Sequence, residues 1–127
     1  MFNFEIDLVE FFKKNIDSLF DIKIYQEEVP FFSRNIDLVL IDKDNNLISI
    51  EFKLNNIQSV LAQSLKCLLC SDFVYVCLPK RNLRKKTIEE FEKNGIGIIL
   101  VDNNVNVFKE AKKSPKSYLK NKLKVYL

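Results

Sequence analysis

The chain has no histidine among its 127 residues. Histidine is the commonest general base and a frequent metal ligand, so histidine-based hydrolases and histidine-bound metal centres are excluded. Any catalyst here must use carboxylates, lysines or hydroxyls. Cysteine is scarce too. Three residues, an odd count, argue against a disulfide framework and for a reducing cytoplasm. Cys67-x-x-Cys70 has the spacing of a redox or zinc motif, but it sits in an apolar helical run without a second ligand pair. Small buried hydrophobes are the better reading. No apolar run reaches membrane-spanning length, and Met1-Phe2-Asn3-Phe4-Glu5 lacks the basic start of a signal peptide. A cytoplasmic protein outside the membrane is therefore expected.

Hydrophobic residues make up 47% of the chain, too many for a disordered one. No repeat or low-complexity linker breaks it, and residues 1–127 are expected to form one domain. The net charge is only +3, yet the basic residues are unevenly placed. Lys80, Arg81, Arg84, Lys85 and Lys86 form one cluster. From about residue 109 a basic C-terminal segment carries Lys109, Lys112, Lys113, Lys116, Lys120, Lys122 and Lys124 against one acid, Glu110. Such clusters suit phosphate backbones; a solvated helix start and a soluble tail are the alternative.

Apolar spacing through Leu8, Phe12, Ile16 and Leu19 predicts a first helix within residues 3–20, with Glu10 on it. Ile22 to Tyr25 alternates like a strand that Pro30 ends, leaving Glu27 and Glu28 before the next element. Two β-rich runs, Arg34 to Ile41 and Ile48 to Leu54, flank Asp42-Lys43-Asp44-Asn45-Asn46 and predict an antiparallel hairpin. Asn55 is read as the cap of a helix running to Ser71. Phe73 to Leu78 and Ile96 to Val101 are nearly continuous apolar runs, suited to central strands covered on both faces. Between them, Thr87-Ile88-Glu89-Glu90 fits a capping box and Asn94-Gly95 a helix stop. Val105 to Phe108 suits an edge strand, and Ser114-Pro115 the start of a short basic helix.

The hairpin carries the chemistry. A turn centred near Asp44 puts Asp37 opposite or diagonal to Glu51, and Glu51 and Lys53, two apart on one strand, share a face. Two carboxylates suit a hard divalent cation, and a nearby lysine can orient water or neutralise phosphate charge. Charges on a solvated hairpin face are the bland alternative for these three residues alone. Their order, followed by Ala62-Gln63, Asp72-Phe73-Val74-Tyr75-Val76 and Gly95 to Asp102, resembles the PD-(D/E)XK nuclease superfamily over about residues 5–102. Ile36 stands where the family name has proline, and Cys67 where many relatives have tyrosine.

The resemblance implies a restriction-endonuclease-like α/β fold, a mixed β-sheet flanked by helices in α-β-β-β-α-β-α-β order. It implies Mg²⁺ or Mn²⁺ held by Asp37, Glu51 and the carbonyl of Phe52, with Lys53 at the reacting phosphate and Gln63 beside the site. Glu10 and Glu28 are candidate accessory carboxylates, with solvated surface roles as their alternative. Arg34, Lys80, Arg81, Arg84 and Lys85 are candidate nucleic-acid contacts. The function so implied is metal-dependent phosphodiester hydrolysis with DNA as the expected polymer. A non-cutting module of the same fold, binding nucleic acid or a protein partner, is the alternative, and a homodimer is left open.

Overall fold

A computed structural model describes residues 2–127. In order, the elements are α1 (Glu5–Asn15), a 3₁₀ turn at Ile16–Ser18, β1 (Ile22–Phe31), β2 (Arg34–Asp42) and β3 (Leu47–Phe52). They continue with α2 (Ile57–Cys67), β4 (Phe73–Pro79), α3 (Lys85–Lys93), β5 (Gly97–Val101), β6 (Val105–Lys109) and α4 (Lys120–Lys124). The strands form one six-stranded sheet in the order β1-β2-β3-β4-β5-β6. β1, β2 and β3 are an antiparallel meander, β3, β4 and β5 run parallel, and β6 returns antiparallel at the edge. This is the expected mixed sheet flanked by helices.

Both faces are covered. Leu8, Phe12 and Ile16 of the first helical segment pack with Leu38, Leu40, Ile50 and Phe52 on one side. Val60, Leu61 and Cys67 of α2 and Phe91 of α3 pack with Val39, Leu47, Val74 and Ile98 on the other. Two-sided cover explains why every residue of β3 and β5 is buried, as continuous apolar runs require. Cys67, Cys70 and Cys77 are buried free thiols in these layers. Among the described residues, no helix is long and apolar enough to cross a membrane.

Several boundaries differ from the sequence expectation. β1 runs past Pro30, which pairs with Asn35. The strand tolerates it because β1 is an edge strand, and a missing N–H can face outward there. The cap of α2 is Asn56 rather than Asn55. Its side chain accepts a hydrogen bond from the Ser59 backbone N–H, and the helix ends at Cys67, short of Ser71. α3 starts before Thr87, after an Arg84 cap that makes no side-chain bond, so Thr87 is inside the helix. Asn94 and Gly95 do end it; Gly95 adopts φ +72°, where glycine has no steric penalty.

The basic C-terminal segment is docked on the body. Ser114 is buried and no helix starts there; its Oγ donates to the Leu68 carbonyl at 2.7 Å and its N–H to the Asp72 carbonyl at 2.7 Å. Leu123 is fully buried, and the Lys120 Nζ donates to Asp72 Oδ1 at 2.9 Å. Asp72 Oδ2 in turn accepts from the Leu47 N–H, fixing the start of β3. Lys120→Ala leaves the nearly buried Asp72 short of a cation. Because Lys120 itself is partly solvated, the expected loss is about 1–2 kcal/mol, read from the urea midpoint.

Candidate active site

The site is built where β2 and β3 part. Their ladder runs from Ile41↔Leu47 to Leu38↔Ile50 and ends there. One residue further, the Asp37 N–H donates to Glu51 Oε1 at 3.0 Å, and the Phe52 N–H donates to Asp37 Oδ2 at 2.8 Å. Each strand's carboxylate thus takes the N–H that the neighbouring backbone no longer satisfies, as buried donors demand. β3 meanwhile stays paired with β4 as far as Phe52↔Cys77. The opening therefore lies between β2 and β3 alone, and both acids point into it.

Glu51 is completely buried and Asp37 partly so. The remaining Glu51 oxygen, Oε2, accepts from the Arg34 guanidinium at 2.5 Å. Burial, and next the charge of Asp37, push the Glu51 carboxyl up to about 7, against the pull of Arg34 and the Asp37 N–H. Burial also raises Asp37, opposed by the Phe52 N–H and reinforced by Glu28 and Glu5. On Arg34, burial disfavours the charge, but the Glu51 contact outweighs it and holds the guanidinium above its usual range.

Beside Asp37 lies a cavity of about 160 Å³ whose lining includes Glu5, Glu27, Glu28, Asp37 and Phe52. Glu27 is occupied by Lys13 at 2.9 Å. Glu28, exposed, has φ +50°, at the point where β1 faces Asp37. Glu5 reaches the Lys53 ammonium at 3.7 Å. Lys53 follows the last residue of β3, and its recorded ion pair is with this acid on α1 rather than with Asp37 or Glu51. Glu5 and Asp37 line the same cavity, so this pair holds the ammonium on the Asp37 side of the site.

The other candidates fall as follows. Glu10 pairs with Lys13 on the exposed side of α1, outside the cavity lining. Gln63 is half-buried on α2, and its side-chain amide has no hydrogen-bond partner among the described residues. Arg34, read from the sequence as a nucleic-acid contact, has its guanidinium committed to Glu51. Lys80 pairs with Asp102 at 3.5 Å, Arg81 donates to the Leu54 carbonyl, and Arg84 and Lys85 are exposed. Glu5 was missed. Its signal was available, because Glu5, though exposed, is on the same helix face as the buried Leu8 and Phe12, while Glu10 lies off it.

No protein-family model matches the chain, and no curated protein does. Solved structures do. A protein of unknown function from Silicibacter pomeroyi, SPO1766, aligns with TM-score 0.64 at 15% identity over 94% of this chain and 82% of its own. A repair endonuclease from Pyrococcus abyssi aligns with TM-score 0.59 at 16% identity over 91% of this chain and 49% of its own. EndoMS, solved with double-stranded DNA, aligns with TM-score 0.54 at 16% identity over 77% of this chain and 44% of its own. The fold is the restriction-endonuclease-like one expected from the sequence. This chain spans about half or less of the length of the last two proteins.

The donors at the parted strands are all oxygens: the Asp37 and Glu51 carboxylates and the Phe52 carbonyl. That chemistry fits a hard cation such as Mg²⁺, which keeps several waters and needs only one or two carboxylates. Asp37 Oδ1 accepts no hydrogen bond from the described residues, whereas both Glu51 oxygens are engaged. Among the described residues, no three histidine, cysteine, aspartate or glutamate side chains are grouped to hold a metal.

The raised carboxyls predict an inverted pH dependence. The Glu51 ordinary value is 4.5 and its folded value about 7, so the folded state binds the extra proton between them. Its contribution is complete below 4.5, falls as pH rises through about 7, and is flat above. Asp37 acts in the same direction, and Asp72, whose carboxyl is lowered, acts oppositely at acid pH. Urea midpoints across pH 5–8.5 should drop by up to about 3 kcal/mol equivalent, and Glu51→Gln should flatten that slope.

Proposed function

We propose that this chain is a divalent-metal-dependent nuclease that hydrolyses phosphodiester bonds, with DNA as its expected polymer. The observation that carries the reading is the reciprocal placement of Asp37 and Glu51 at the parted ends of β2 and β3. The fold supports it, because a repair endonuclease and a DNA-bound EndoMS share that fold. Asp37, Glu51 and the Phe52 carbonyl would hold Mg²⁺ or Mn²⁺. Bound there, the cation would acidify water and offset charge building on the phosphate.

The protein groups divide the remaining work. Asp37 Oδ2 keeps its hydrogen bond to the Phe52 N–H, which orients the carboxylate and leaves Oδ1 to face the cavity. Glu51 becomes a ligand only in its ionised form, so metal affinity should rise with pH through about 7. Lys53, whose ammonium contacts Glu5 at 3.7 Å, can turn to the attacking water or the phosphate. Glu5 would hold that ammonium at the cavity in the meantime. Gln63 stands in reserve on α2 as an orienting amide. The exposed Arg84 and Lys85 would meet the polymer backbone, and the chain would act in the cytoplasm, as a monomer or a homodimer.

One observation favours the non-cutting alternative: Arg34 already neutralises Glu51. A cleavage assay separates the two. Single-stranded, duplex and branched DNA and an RNA are incubated with Mg²⁺, Mn²⁺ or EDTA. Metal-dependent cleavage is expected, reduced about 10²–10³-fold by Lys53→Ala. Binding without cleavage under any metal, together with a melting temperature unmoved by Mg²⁺ or Mn²⁺, would establish the inactive module instead.

A further inference from the structure

The turn between β1 and β2 presents an aromatic ring to solvent at a conformational cost. Phe32 is 72% exposed and adopts φ +57°. Two of the other three non-glycine residues with positive φ are asparagines, which tolerate that region through local hydrogen bonds; a phenylalanine has no such relief. Its one aromatic contact among the described residues is the edge of Phe31, centroids 4.6 Å apart, which leaves most of the ring in solvent. Beside it a groove of about 410 Å³ is lined by Pro30, Phe31, Phe32, Lys122, Val125 and Tyr126, none of them acidic. Tyr126 is 47% exposed, and the Lys122 Nζ lies 5.7 Å from the centre of the Phe32 ring. Exposed aromatic faces interleaved with lysine are the chemistry of base stacking beside phosphate neutralisation.

Position connects this groove to the proposed active site. Phe32 sits in the turn before β2; Arg34, which holds Glu51, is two residues on, and Asp37 on β2 is five on, a span of at most about 17 Å. A strand whose phosphate lies at Asp37 therefore needs only a few nucleotides to reach Phe32. Bases inside a duplex are stacked on one another and cannot offer a face to this ring; an unpaired base can.

We propose that the groove beside Phe32 holds an unpaired nucleobase of the strand engaged at Asp37, stacked on Phe32 and Tyr126 with Lys122 on the adjoining phosphate. The substrate class is then nucleic acid with a single-stranded segment next to the cleaved bond. This rests on the nuclease reading and deepens it.

The test is fluorescence anisotropy in EDTA, where no cleavage interferes, with a labelled 20-nucleotide oligo-dT and a blunt duplex of equal length. Phe32→Ala should weaken oligo-dT binding about 5- to 100-fold, leave duplex binding within about twofold, and be rescued by Phe32→Trp. Lys122→Ala should reduce the salt dependence of oligo-dT binding by about one phosphate contact. Equal loss on both ligands, or no loss on oligo-dT, overturns the groove while leaving the nuclease reading intact. So does a wild-type dimer that Phe32→Ala splits in sedimentation without changing oligo-dT affinity, which would give the groove to a second copy of the chain. Wild-type protein that binds neither ligand overturns the nuclease reading and this inference with it.

Discussion

Asp37→Asn should remove cleavage by about 10³-fold or more while leaving the folded protein as stable as the parent, or more so. The reasoning separates two jobs of one side chain. An asparagine oxygen can still accept the Phe52 N–H bond that Asp37 Oδ2 makes at 2.8 Å, so the parted strand ends keep their capping contact. What disappears is a negative charge beside the buried Glu51, a charge that helps drive the Glu51 carboxyl upward. Losing that repulsion lowers the Glu51 value and relieves the folded state. Stability and activity should therefore move in opposite directions, the signature of a site held against its own electrostatics. Single-turnover cleavage and urea denaturation on the same preparation read both. Loss of stability in parallel with loss of cleavage would make Asp37 a structural cap.

Arg34→Ala should be the most destabilising polar substitution in the chain, at about 3–5 kcal/mol near pH 8. It strips the cation from a fully buried carboxylate, whose only remaining partner among the described residues is the Asp37 N–H. Glu51 can escape by taking a proton, so the cost should shrink toward pH 5. Arg34→Ala combined with Glu51→Gln should recover most of the loss, because no unpaired charge is left to bury. The same substitution frees Glu51 Oε2, and Mg²⁺ or Mn²⁺ should then raise the melting temperature more in the variant than in the parent. A variant equally destabilised at pH 5 and pH 8 would assign Arg34 a packing role through its aliphatic stem.

Much of this arrangement is legible from residue pattern. Turn residues between Asp42 and Asn46 fix the hairpin, and counting outward from them brings Asp37 level with Glu51, in line with the Leu38↔Ile50 pairing. Covered strands show as unbroken apolar runs at Phe73 to Leu78 and Ile96 to Val101. Three kinds of information are not local. Pro30 stops a strand only if both edges are paired, and sheet order decides that. Asn55 and Asn56 are equivalent caps until the backbone between β3 and α2 selects one. Arg34 and Glu5 have the composition of surface groups, and only the docking of α1 and the hairpin twist bring them to Glu51 and Lys53. The lysines after residue 109 mislead for the opposite reason: Leu123 between them is core, and Lys120 answers a nearly buried aspartate.

Every strand of the sheet lies beside its own predecessor in the chain. The search for partners during folding is then short at each step, because no strand must insert between two that have already paired. The β2–β3 hairpin closes over the few residues between Asp42 and Leu47 and can form on the microsecond scale of isolated hairpins. Formed before the helices dock, it would bring both acids together while water still screens their repulsion. Burial by α1 and α2 would come afterwards. The mutual strain of Asp37 and Glu51 should then act late in folding and weigh mainly on the unfolding rate, so Asp37→Asn should slow unfolding while refolding proceeds at the parent's pace.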